Sequence, residues 1–227
     1  MIFQKFKQII FLTICILPFL RGIDNARISI MPEYNYGGVT ILFQAENKVS
    51  LNDSSLFSLP NTADSVFRIL YNQSNVMELK RKPIISLNDN KWITLPADSG
   101  VFAFMIKTQV FKENIKREFK YDIIFTDNVS NLSVEVQKPF KAKNFLLLNK
   151  DFKFEKNNNG SSSYFFYFDF IKKGNGKKIF FEYNKDLDLE KNKQKDVGGI
   201  SNENDVNEEP LRHKLYIWEP IIALSIL

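Results

Sequence analysis

The chain alternates apolar and polar residues over short stretches, and the period is two, that of a pleated strand rather than of a helix. In "REFKYDIIF" Phe119, Tyr121, Ile123 and Phe125 share one face. "VFAFMIK" repeats the pattern with Phe102, Phe104 and Ile106, "NLSVEV" with Leu132, Val134 and Val136, and "RILYN" does so more briefly. In "SSYFFYFDFIKKGNGKKIFFEYNKDL" two aromatic runs, Tyr164 to Phe170 and Ile179 to Tyr183, flank Gly174-Asn175-Gly176. A Gly-Asn-Gly tip supplies the positive φ angles of a tight turn, so the spacing predicts a hairpin. Tyr164, Phe166, Phe168 and Phe170 would line one face, with Phe165, Tyr167 and Asp169 on the other. Both faces are partly apolar, which predicts a well-covered strand. Turn signals at short intervals, with no amphipathic helix between them, predict an all-β chain folded as an antiparallel β-sandwich.

The two ends follow other patterns. Residues 1–26 place Lys5 and Lys7 before an apolar core from Ile9 to Leu20 and then small residues, Gly22 and Ala26. That is the layout of a secretory signal peptide, whose apolar core is short for an uncleaved anchor. Residues 27–215 form the expected sandwich domain, interrupted at 186–210 by a polar, charge-mixed stretch that reads as a disordered loop. An apolar pattern resumes at "LRHKLYIW" and runs on from Ile221 to Leu227. Seven helical residues reach roughly 10 Å, about a third of a hydrocarbon core, so this run does not span a bilayer. A buried final strand accounts for it, and so does the start of a membrane helix over 216–227. Tyr216 and Trp218 suit the headgroup level. Glu219 and Pro220 suit a helix start, where Pro is tolerated and a carboxylate faces the positive end of the dipole.

Composition narrows the chemistry. The only cysteine, Cys15, lies in the presumed signal, so a processed chain would carry no thiol, and disulfides, cysteine nucleophiles and thiolate metal sites fall away together. Of 31 basic and 26 acidic residues, the first 26 positions hold Lys5, Lys7, Arg21 and Asp24, leaving 28 against 25 and a net charge near +3. Lysines gather at 141–156 and 172–178 with no arginine among them, which reads as a solvated face rather than a nucleic-acid site. His213 is the sole histidine, beside Arg212 and Lys214. The remaining catalytic candidates are the carboxylate pairs Asp122 with Asp127, and Asp169 with Glu182 across the predicted hairpin. "KKGNGKK" opens no helix and so makes no phosphate loop. No metal or cofactor is expected. Asn-x-Ser sequons at Asn52, Asn72, Asn128, Asn131 and Asn159 are candidate N-glycosylation sites of a secretory chain.

Three segments occur in the order they take in one family. "FSLPNTADSVFRILYNQSNV" resembles a Leu-Pro element followed by an Asp-Val-aromatic strand; "ELKRKPIISLNDNKW" resembles a basic, Pro-containing segment ending at Trp; "YFDFIKKGNGKKIFFEY" resembles a late aromatic hairpin. The family is ribophorin I, the large accessory subunit of the endoplasmic-reticulum oligosaccharyltransferase. "HKLYIWEPIIAL" is similar to the point where its lumenal region enters its membrane helix. The resemblance covers the family's membrane-proximal lumenal half, with no counterpart of the distal lumenal domain and an apparent insertion over 188–210. It implies a non-catalytic subunit of a glycosyltransferase complex, held at the endoplasmic-reticulum membrane with its bulk in the lumen. Its partners would be the other oligosaccharyltransferase subunits, including the catalytic one, which holds the carboxylates and metal. A secreted or surface-attached module binding carbohydrate or protein fits the same signal, sequons and strands without the resemblance.

Overall fold

The computed structural model of the chain describes residues 22–34, 36–47, 51, 55–71, 77–112, 115–140, 142–156 and 161–186, which fall within one compact unit. Among the described residues the strands are β1 (Ile23–Pro32), β2 (Val39–Asn47), β3 (Leu56–Leu59), β4 (Ala63–Tyr71), β5 (Met77–Lys82), β6 (Ile85–Leu87) and β7 (Asn90–Thr94). They continue as β8 (Gly100–Thr108), β9 (Lys116–Ile123), β10 (Val129–Lys138), β11 (Ala142–Leu147), β12 (Lys153–Lys156), β13 (Ser162–Ile171) and β14 (Lys177–Lys185). No helix occurs among these residues, so the all-β reading holds. An eight-stranded sheet runs β12-β13-β10-β1-β2-β8-β4-β5, and two three-stranded sheets run β11-β14-β9 and β3-β7-β6.

The period-two faces become the core. Phe119, Tyr121, Ile123 and Phe125 are buried, as are Phe102, Phe104 and Ile106 of β8 and Leu132, Val134 and Val136 of β10, all in one cluster. Rings bridge the sheets: Phe43 of β2 stacks on Phe57 of β3 at 4.1 Å, and Phe57 lies 4.9 Å from Phe125. The buried Tyr121 hydroxyl donates to the Ser58 carbonyl at 2.8 Å, so its polar end is satisfied where the ring is enclosed.

The antiparallel architecture holds with one local exception, and one expectation is corrected. β1 and β10 pair in parallel, Ile28 against Val134, so the large sheet is antiparallel everywhere but at its centre. The predicted hairpin is instead an arch between sheets. β13 pairs with β10 and β12, and β14 pairs with β9 and β11. Phe170 and Gly174 adopt positive φ, +41° and +77°, and turn the chain out of the sheet plane. The connection is tied down from beneath: the Gly174 N–H donates to the Phe125 carbonyl at 2.8 Å and the Lys173 N–H to Asn128 Oδ1 at 3.0 Å. Arching sends the apolar face of each strand into the common core, where Phe166, Phe181 and Tyr183 are all buried. A side-by-side hairpin would have put those faces on one surface.

Candidate functional site

Asn52, Asn72, Asn159, His213, Tyr216, Trp218, Glu219 and Pro220 lie outside the described residues, as do the signal segment through Arg21 and the stretch from Leu187 onward. Of the two described sequons, Asn131 is exposed in β10, its Nδ2 donating to Asn25 Oδ1 at 3.2 Å. Asn128 is half-buried and structural: its side chain holds the arch, and its carbonyl accepts from the Ile23 N–H at 2.9 Å. No hydrogen bond joins the members of either carboxylate pair among the described residues. Asp169 belongs to the eight-stranded sheet and Glu182 to the three-stranded sheet of β9, where Glu182 binds Lys116 at 2.7 Å. Asp127 Oδ2 accepts from its neighbour Thr126 Oγ1 at 3.4 Å, and Asp122 lies on the exposed side of β9. Among the described residues no group of three or more His, Cys, Asp and Glu side chains gathers as metal ligands do.

A concavity of about 780 Å³ runs beside β9, between that strand, the Pro60–Thr62 turn and the Thr108–Lys112 segment. Its geometry follows from strand parity. On β14 the Phe180 N–H and C=O and the Lys178 C=O bond toward the β11 side, to Asn149 and Leu148. Phe181 and Ile179 therefore address β9, where they face Phe119 and Tyr121. The N–H and C=O groups of Glu118 and Lys120 consequently point away from β14 and into the groove. Farther along, Ser58 Oγ occupies this edge by donating to the Asp122 carbonyl at 2.7 Å. The side chains at the open edge, Glu118 and Lys120, bond each other at 2.9 Å on the outer face. That contact holds the Glu118 carboxyl below its usual range. The Lys116 ammonium is raised by its hydrogen bond to Glu182.

A second feature is an aromatic shelf at the opposite end of the large sheet. Tyr164 of β13 lies 5.4 Å from Phe145 of β11, 5.1 Å from Phe152 and 5.3 Å from Phe154 of β12. Phe152 is 41% and Phe154 50% exposed, because the core-side face of edge strand β12 reaches past the sheet that covers its neighbours. The sequence shows the alternation in "DFKFEK" but gives no sign that this strand ends a sheet.

Two buried polar clusters escaped sequence reasoning because their members are far apart in the chain. Glu135 accepts from Ser29 Oγ at 3.1 Å, Ser163 Oγ at 2.9 Å, Gln137 Nε2 at 3.1 Å and Arg27 at 3.3 Å, joining β1, β10 and β13. Glu33, in the turn after β1, accepts from Arg117 of β9 at 3.4 Å and from the Tyr183 hydroxyl of β14 at 2.9 Å, clamping the two layers. Burial, with the Glu33 carboxylate beside it, pushes the Tyr183 hydroxyl far above the ordinary tyrosine range. Burial does the same to Tyr121. The two tyrosine hydroxyls are thereby held neutral and hydrogen-bonded within the fold.

No family model matches the chain, and no curated protein does. Among solved structures, an aminopeptidase N family protein from Idiomarina loihiensis aligns with a TM-score of 0.36 and 8% identity over 69% of this chain and 29% of that one. An M1 zinc metallopeptidase from Deinococcus radiodurans aligns with a TM-score of 0.33 and 12% identity over 72% of this chain and 42% of that one. The chain thus spans well under half the length of either, and likeness at this level transfers no activity to it.

Proposed function

We propose that the protein is a non-catalytic accessory subunit of the endoplasmic-reticulum oligosaccharyltransferase, supporting N-glycosylation by binding and organising partner subunits. The observation that carries the reading is the ordered resemblance to ribophorin I. Its three segments span β3–β4, β5 to β7 and the β13–β14 connection, the last an arch where the resemblance implied a hairpin. The aromatic shelf supports it as well, since half-exposed rings beside packed ones have the composition of an interface core. Its mechanism is docking: a rigid sandwich in the lumen presents surfaces to the subunits that hold the catalytic groups. Depletion of the protein from cells should lower sequon occupancy on reporter glycoproteins, read by electrophoretic shift. Full occupancy after depletion would sink the reading.

A secreted or surface-attached module that binds carbohydrate or protein is the competing reading, favoured by the same exposed Phe152 and Phe154, since rings of this kind also stack on ligands. Membrane fractionation separates the two. Deleting Leu211 to Leu227 should release the accessory subunit from microsomes and leave a secreted module's distribution unchanged.

A further inference from the structure

The open edge of β9 carries a charge pattern that specifies its occupant. Main-chain groups of Glu118 and Lys120 point into the groove, and among the described residues no hydrogen bond takes them. The exposed side chains of the same register positions are Lys116, Glu118, Lys120 and Asp122. We propose that a second copy of this chain docks here, β9 against β9, in a two-fold antiparallel pairing centred on Phe119. The three-stranded sheet of each copy then continues into that of the other.

In that register Glu118 faces the partner subunit's Lys120, while Ser58 already holds the edge at Asp122 and confines the pairing to residues 118–120. Two-fold symmetry repeats the contact, so both exposed cross-strand pairs join opposite charges. The pairs of Glu118 with the partner subunit's Lys120 exchange both N–H···O=C bonds, which satisfies the edge groups. Other registers fail. A two-residue slip one way sets Lys120 against the partner subunit's Lys120 and Glu118 against the partner subunit's Asp122. The opposite slip sets Glu118 against the partner subunit's Glu118 and Lys116 against the partner subunit's Lys120. A one-residue slip aims the main-chain groups of one copy at a side of the other that already bonds β14. Lysines on an edge ordinarily discourage pairing with foreign strands. Here their alternation with carboxylates admits one strand, this one, in one register.

The dimer goes beyond the glycosylation reading and does not rest on it. The test is sedimentation equilibrium of the full chain in mild detergent, with E118K, K120E, the double variant E118K/K120E, and an equimolar mixture of the two single variants. Glu118 and Lys120 are 46% and 74% exposed at the side chain, so each variant should keep the wild-type circular dichroism spectrum and unfold cooperatively. The wild type should dimerise, and each single variant should raise the dissociation constant about tenfold or more by creating like-charge pairs. The double variant should recover the wild-type constant. The mixture should form a heterodimer, because the two lysines of one chain then face the two glutamates of the other. A monomeric wild type, a dimer indifferent to either single variant, or a mixture that fails to associate would overturn the proposal.

Discussion

Phe43 meets Phe57 across the sheet interface at 4.1 Å and is fully buried, so its truncation removes both packing area and an aromatic stack. Phe43→Ala should destabilise the fold by about 3–5 kcal/mol, measured by urea unfolding, because neighbouring rings cannot close the space. Tyr121 and Tyr183 lend themselves to a pH test. Their folded-state pKa values are raised, by burial foremost, above an unfolded value of about 10. The folded protein therefore holds protons that the unfolded chain releases, and the stability this supplies is complete below about pH 10 and lost as pH rises beyond it. Absorbance titration at about 295 nm should show the exposed tyrosines ionising first and these two only together with unfolding. Smooth titration of every tyrosine in the folded state would contradict their burial. Sequence periodicity identified Tyr121 as a core residue. It gave no hint of Glu33 as the partner of Tyr183, since that contact joins positions 150 residues apart.

At the scale of elements, period-two alternation located β8, β9 and β10 with their buried faces because such a pattern is local. Partnership between strands is not local. The Gly174-Asn175-Gly176 turn was legible as a turn, yet whether the chain folds back alongside itself or crosses to another sheet depends on Phe125 and Asn128, which anchor it from elsewhere in the sequence. The parallel pairing of β1 with β10 was hidden for the same reason. Glu135 marks where three of these strands are locked together. Glu135→Ala leaves the Ser29 and Ser163 hydroxyls without their acceptor and should cost about 1–3 kcal/mol. The same change at half-exposed Glu155, which pairs only with Lys153 among the described residues, should leave the unfolding midpoint nearly unaltered.

At the scale of the whole molecule, the described residues present an enclosed aromatic core, an open strand edge at β9 and an exposed aromatic shelf at β12. Among the described residues no hydrogen bond joins either carboxylate pair named from sequence, and in the proposed function the domain acts through the proteins it holds. The most direct measurement is affinity purification from mild-detergent microsomes through a small tag inserted near Asn202, followed by mass spectrometry of the co-purifying proteins. The account predicts the oligosaccharyltransferase catalytic subunit at an abundance comparable to the tagged chain. A folded, tagged protein recovered without that subunit would contradict it.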